Sequence, residues 1–319
     1  MEIGLYEDWM KPQVAKLFCL QYGVNEDNFS KLIDNFYEHP FQKDKCIRIV
    51  AKEGKTIIGF QSFIYWPYEY NNKTYNSFQS GNSLVHPNHR GKGIFQKLLN
   101  YLDLHCKELE IDFLIGFPID ASIGSLLRNN WQNIFNLQWY VKIWNPFSIF
   151  LPLNKKKINT HFPNKNLFPK NKVIEPFIKL SNTKDFSEWR SIHNDEKNYF
   201  SFYFQNGENE MILKLKLNIR KKIIKELIIG DFITTNYDTI FIDEAFSAFF
   251  NELKKIKCIS IVSLAINDNN ISNLKSILLN QRFRKIKKQI YFCFKPLLDK
   301  ELISEKDKWI VLRGDIDTW

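Results

Sequence analysis

Leu84-Val85-His86-Pro87-Asn88-His89-Arg90-Gly91-Lys92-Gly93-Ile94-Phe95 is the stretch on which the fold of this chain turns. β-prone apolar residues run into a short polar turn that holds two glycines and two cations. An amphipathic segment follows at once, with Ile94, Phe95, Leu98, Leu99, Leu102, Cys106 and Leu109 at helical spacing. A strand that feeds a glycine turn and then a helix start is a place for phosphate. The first helical N–H groups lack internal partners, and the helix dipole favours negative charge there. Gly91 and Gly93 let backbone approach a ligand closely, while Arg90 and Lys92 add positive charge. The three-glycine dinucleotide fingerprint is absent, and no Gly-Lys-Ser/Thr completes a Walker A loop.

Outward from the loop, a regular order of elements is expected. A strand at Glu2 to Tyr6 precedes two helices, Trp9 to Tyr22 and Asn25 to Glu38. Ile47 to Ala51 and Thr56 to Trp66 form a hairpin about Glu53-Gly54, and Asn71-Asn72 turns the chain into Thr74 to Val85. Beyond the loop helix come a strand at Asp112 to Phe117, a helix from Ala121 to Asn129, and a final strand at Leu137 to Trp144.

At Arg90-Gly91-Lys92-Gly93-Ile94-Phe95 the chain resembles the GNAT (Gcn5-related N-acetyltransferase) superfamily, whose signature is Arg/Gln-x-x-Gly-x-Gly/Ala. Phe95 departs from the pattern at its last position, so its side chain must point away from the loop. The resemblance implies an α/β (α+β) GNAT fold with a mixed central sheet over residues 1–146. It further implies acetyl-CoA as co-substrate, its pyrophosphate held by Arg90, Gly91, Lys92, Gly93, Ile94 and Phe95. Backbone of Leu84, Val85 and His86 would pair with the pantetheine arm like an added strand, and an N–H in that region would polarise the thioester.

Residues for the chemistry are less marked. Family enzymes often carry a tyrosine acid four residues before a Gly-Phe pair. Setting Asn130-Trp131 on that pair leaves Leu126 in its place, so Ser122 or Ser125 is left to hydrogen-bond the sulfur. Asp120 is the candidate general base, although an N-cap of the helix from Ala121 is the commoner use of Asp there. His86, His89 and the Glu38-His39 pair are weaker candidates. Ser80-Gly81-Asn82-Ser83 is polar and small, which suits a wall around a hydrophilic acceptor, a β-bulge at Gly81, or both.

Length asks for more than one domain: 319 residues exceed the ~150 of a typical single domain. The reading divides the chain into a GNAT domain at 1–146, a basic proline-containing linker at 147–172, and a degenerate GNAT-like domain at 173–319 that helps form the acceptor site. The second part repeats the rear order of the fold, with helices at Asp185 to Asn198, Ile242 to Ile256 and Asn270 to Leu279. Strands at Met211 to Leu217, Lys222 to Thr234, Ile259 to Leu264 and Lys285 to Phe294 accompany them. Its junction at Asp238 to Ala245 has neither a glycine pair nor a base, so a second acetyl-CoA site is not expected there. Trp189, Arg190, Asp195, Tyr199 and Trp309 are types that hold sugars, although each alone is more commonly a surface or core residue, and the tail Arg313 to Trp319 either folds back or frays.

Composition bounds the partners. The net charge is 45 − 35 = +10 with lysine spread widely and no base-reading motif, which disfavours nucleic acid. Phe147-Ser148-Ile149-Phe150-Leu151 before Lys155, Lys156 and Lys157 reads as part of a solvated linker or, less commonly for such a segment, as a weak contact with an anionic membrane surface. No membrane span or basic leader is evident, so cytoplasmic residence is expected, and Cys19, Cys46, Cys106, Cys258 and Cys293 read as reduced thiols without a metal. Long two-domain chains of this look resemble bacterial GNAT proteins of surface polysaccharide synthesis, which implies a nucleotide-linked amino sugar as acceptor. A peptide amine, or a CoA-binding sensor or scaffold without turnover, is the alternative.

Overall fold

Alternating and fully apolar strand segments separated by glycine and asparagine turns dominate the chain, and the computed structural model shows fourteen strands among the described residues. It describes residues 1–23, 25, 29, 31, 33–163, 165, 167–170, 176–193, 198–267, 274–298 and 306–317. Strand β1 (Glu2–Leu5), helix α1 (Lys11–Tyr22), β2 (Ile47–Glu53), β3 (Thr56–Tyr65), β4 (Tyr68–Tyr70), β5 (Lys73–Tyr75) and β6 (Ser77–Val85) come first. Then follow α2 (Ile94–His105), β7 (Phe113–Gly116), α3 (Asp120–Arg128), β8 (Gln132–Ile143), α4 (Lys155–His161), β9 (Lys179–Leu180) and α5 (Lys184–His193). The rest is β10 (Tyr199–Asn206), β11 (Asn209–Arg220), β12 (Ile224–Thr234), α6 (Thr239–Leu253), β13 (Ile261–Asn267), α7 (Leu274–Asn280) and β14 (Arg284–Pro296).

Two compact units divide the chain. The first holds Met1–Tyr68, Lys73–Phe135 and the chain from Tyr291; the second holds Glu69–Asn72, Asn136–Ile290 and the chain from Lys306. In the first, β1, β2, β3 and β6 are antiparallel neighbours, β6 and β7 are parallel, and β14 lies antiparallel on β7. In the second, β10, β11 and β12 are antiparallel, β12 and β13 are parallel, and β8 lies antiparallel on β13. Both units therefore show the same run of pairings around one parallel step.

The sequence reading closed the first domain with residues 137–144 and placed the boundary at 146. In the structure that strand pairs with β13 (Leu137↔Asn267 to Ile143↔Ile261), and β7 takes β14 instead (Gly116↔Cys293, Phe113↔Pro296). Either apolar strand can cover the free edge of a parallel pair, and closeness in sequence does not decide which one does. Lys295 secures the choice in the first unit. Its buried ammonium meets Asp103 of α2 and donates to the Asn129 carbonyl at 2.8 Å. Of the expected second helix at 25–38, residues 26–28, 30 and 32 lie outside the described residues, and Ile33–Tyr37 form a π turn. Helix α4 stands inside the expected linker, and β10 is a strand the sequence reading missed. No helix among the described residues is long and apolar enough to cross a membrane.

Helix α2 places Ile94, Leu98, Leu99 and Leu102 against Ile47, Ile49, Ala51 and Ile58 of the sheet. That apolar stripe fixes the loop before α2 at the end of β6. In the second unit, Phe241, Phe246, Phe249 and Phe250 of α6 do the same against β10 to β13.

Candidate active site

Strand β6 carries the site. It pairs with β7 over three residues, Ser77↔Phe113 to Gln79↔Ile115, and β7 ends at Gly116. Strand β6 continues to Val85, so among the described pairings its edge beyond Gln79 has no strand partner on the β7 side. Backbone groups on such an edge are ready to hydrogen-bond an extended ligand. His86 donates its amide to the Ile58 carbonyl of β3 at 2.9 Å. Alternation then turns Leu84 to β3 as well, and turns Val85 to the open edge. Of the three expected arm-binding residues, Val85 is thus the one whose backbone faces outward. Arg90 Nε donates to the Val85 carbonyl at 3.3 Å.

Gly91 has φ 78° and Gly93 φ 70°, a region open to glycine and costly for most side chains. Arg90, Gly91, Lys92 and Gly93 are all exposed. Gly93 is the N-cap of α2 and has no side chain to offer the first-turn N–H groups. Phe95 packs against the apolar cluster with Ile94 and Leu98, clear of the loop. Arg90 also donates to Gln21 Oε1 of α1 at 2.6 Å.

A bulge lies between loop and parallel step. Phe60 faces Leu84 and Ser62 faces Gly81, so Gln61 stands opposite two residues, Asn82 and Ser83. Asn82 adopts φ 49°, one residue from the position expected for the bulge. The buried Gln61 amide fills the step: Nε2 donates to the Ser62 carbonyl (2.7 Å), Ser80 Oγ (3.1 Å) and the Gly81 carbonyl (3.1 Å). Its Oε1 accepts from Ser83 Oγ at 2.5 Å. Ser62 Oγ donates to the same Gly81 carbonyl at 2.9 Å and accepts from Tyr37 OH at 3.0 Å, and Asn82 Nδ2 donates to that tyrosine oxygen. In a trans peptide the carbonyl of Gly81 and the N–H of Asn82 point in opposite directions. With the carbonyl held toward β3, the Asn82 N–H is aimed at the open edge.

The remaining candidates separate. Asp120 is exposed and is the first residue of α3, whose N-cap is Ile119, so the capping role weighed for Asp120 is not the one it has. Ser122 Oγ donates to the Ile119 carbonyl at 3.2 Å, which commits its proton locally, and Ser125 Oγ accepts from Arg128 at 3.1 Å. Leu126, at the place of the family tyrosine, is buried beside Trp131. His86 Nδ1 accepts from the Asn88 amide, His89 faces Glu53, and Glu38 pairs with Arg48 at 2.6 Å. Trp189 and Trp309 are buried, and Arg190 donates to the carbonyls of Gly314 and Ile316; Asp195 lies outside the described residues. Tyr37, Gln61 and Ser62 were not singled out in the sequence. Gln61-Ser62, two polar residues inside an otherwise apolar strand, was the available signal.

Residues 6–131 match the family of acetyltransferase (GNAT) domains. This stretch is a GNAT acetyltransferase domain. With it the protein is an N-acetyltransferase that draws on acetyl-CoA. Solved structures agree on the fold. A GCN5-related N-acetyltransferase from Anabaena variabilis superposes with a TM-score of 0.63 at 10% identity, over 93% of this chain and 72% of that one. A probable N-acyltransferase from Enterococcus faecalis gives 0.59 at 9% identity, over 93% and 73%, and a GCN5-related N-acetyltransferase from Kribbella flavida gives 0.55 at 10%, over 93% and 72%. None of the curated proteins matches the sequence.

Proposed function

We propose that the protein acetylates an amine, or less readily a hydroxyl, of a small polar acceptor, and that the acceptor is a nucleotide-linked amino sugar. The observation that carries the reading is the open edge of β6, which ends in a glycine-capped helix start beside Arg90 and Lys92. Pyrophosphate would rest on the N–H groups at residues 91–95, and the pantetheine arm would run along β6 past Val85. The Asn82 N–H would meet the thioester oxygen as charge develops there. Ser80, Asn82 and Ser83 give the acceptor a polar wall suited to sugar hydroxyls.

Direct attack needs a neutral amine, and Asp120, exposed at the start of α3, is the group assigned to take its proton, directly or through water. Leu126 offers no proton, and the Ser122 proton is engaged, so the thiolate leaves as such or takes a proton from solvent. Residues 173–319 complete the acceptor site in this reading as a degenerate GNAT-like domain, the protein works in the cytoplasm, and the basic connection makes a weak contact with an anionic membrane surface.

Free-thiol release from acetyl-CoA, measured with nucleotide-linked amino sugars and with peptides, tests the proposal. The expected result is release stimulated by an amino sugar nucleotide and not by peptides. Stimulation by peptides alone overturns the acceptor assignment, and coenzyme A binding with no stimulated release by any acceptor overturns the role in turnover.

A further inference from the structure

We propose that one end of the second unit is a docking face for an anionic lipid bilayer. This deepens the membrane contact of the functional reading and is independent of the acyl-transfer chemistry. Three turns converge there, because β8 ends where β11 ends and where β12 and β13 begin: Ile143↔Ile261, Glu226↔Ile261 and Arg220↔Ile224 share one end of the strands. Buried Lys225 ties the turns together, donating to the carbonyls of Ser148 (2.8 Å) and Leu151 (2.6 Å) while its backbone pairs with Ser260. Ser148 Oγ bonds Ser260 Oγ at 2.7 Å, and Asn145 reaches the Lys257 carbonyl at 2.7 Å.

This locked turn holds its large apolar side chains in water. Phe147 is 74% exposed, Phe150 80% and Ile143 69%, and Ile219 and Ile223 stand out from the neighbouring hairpin. Protruding apolar tips on a rigid loop gain by entering a bilayer interface. Charge points the same way. Residues 143–161, 219–226 and 251–260 contain ten Lys or Arg and only two acids. Glu226 is buried against Arg220, and Glu252 is paired with Lys255 and His161. Lys156, Lys157, Lys221, Lys222 and Lys257 are exposed around the tips. Lys142, beside Ile143, is held down to about 8 by burial, with Arg282 and Lys254 adding positive charge. Nucleic acid would use the cations but give nothing to Ile143, Ile219 and Ile223, whereas an anionic bilayer uses both.

Co-sedimentation of the full chain with vesicles of phosphatidylcholine, alone and with about 30% phosphatidylglycerol, is the test. Binding is expected to the anionic vesicles only, and to fall in about 0.5 M salt. Phe147→Ser/Phe150→Ser and, separately, Lys221→Glu/Lys222→Glu should each lower partition roughly tenfold, with thiol release from acetyl-CoA unchanged. No binding, equal binding to neutral vesicles, or binding indifferent to the phenylalanine pair overturns the proposal. So does a dimer in solution that the phenylalanine pair breaks without any lipid binding, since a second copy would then cover the face.

Discussion

The parallel step occurs twice in this molecule, once open and once filled. In the first unit β6 leaves β7 after three paired residues, and Gly93, the N-cap of α2, makes no side-chain cap bond to the first-turn N–H groups that follow Arg90 and Lys92. In the second, β12 leaves β13 after Ile229↔Leu264, but its free edge is met by the chain's own Arg313–Asp315. A Cβ on Gly314 would lie 2.6 Å from the Gly230 carbonyl oxygen, so only glycine fits this close approach. Helix α6 is capped by Asp238, whose Oδ1 accepts from the amides of Ile240 (2.8 Å) and Phe241 (3.3 Å). In the proposed function the helix start of the first unit serves an outside anion, whereas that of the second serves an internal carboxylate. On that proposal, what separates a cofactor site from scaffold is which partner meets the N–H groups.

Transplanting the filled arrangement into the open one should give the largest effect. Gly93→Asp supplies an internal carboxylate at the α2 start and sets negative charge against the pyrophosphate. Asp tolerates positive φ better than most residues, so the fold should survive. Acetyl-CoA affinity by calorimetry is expected to fall on the order of 100-fold, about 2.7 kcal/mol. Unchanged affinity would mean that the phosphates sit elsewhere.

The bulge gives the next effect. Gln61→Leu keeps the volume of the buried side chain but removes one of the two donors, with Ser62 Oγ, that hold the Gly81 carbonyl toward β3. If the Asn82 N–H polarises the thioester, kcat should fall roughly 10- to 100-fold with the acetyl-CoA KM within about twofold. A rise in KM at constant kcat would make Gln61 a part of cofactor binding instead.

Asp238→Ala tests the other side of the comparison. Loss of the cap should cost about 1 kcal/mol of stability, read by denaturant unfolding, and confer no second coenzyme A site. The filled edge at Gly314 still excludes the arm, so binding of a second equivalent would undo the contrast between the units.

The open half was legible in sequence because its signal is local. Two glycines, two cations and the Ile94–Leu102 stripe lie within a few turns of one another and require no distant partner. The filled half was legible only as a lack, the missing glycine pair near Asp238. Its plug comes from residues 313–315, whose Arg-Gly-Asp composition looks like an exposed tail until Gly230 is seen against Gly314. Long-range choice hid the rest. Nothing in Gln132–Ile143 or Arg284–Pro296 says which of them covers β7. Gln61 read as a strand residue because the bulge that gives it a purpose forms only when β3 and β6 pair.

Lys214 is the finest probe of the contrast. It faces Asp231 beside the register shift of β11 on β12, the place that Gln61 holds in the first unit. Its ammonium donates to the Leu167 carbonyl at 2.8 Å and lies 5.0 Å from the Phe168 ring. Burial pushes it down to about 8, partly opposed by Asp231. In the unfolded chain a lysine titrates near its ordinary value of about 10.4. Between pH 8 and that value the unfolded chain therefore binds the proton that the folded chain has released, and stability should rise with pH. Below pH 8 both states are charged, and the buried cation is a standing cost that Lys214→Met removes. Unfolding free energy should climb by roughly 1 kcal/mol from pH 7.5 to 9 in the natural protein relative to the variant. A flat difference would show that water reaches Lys214. The step in the second unit would then be as accessible as the one in the first, and the plug at Gly314 would no longer distinguish the two.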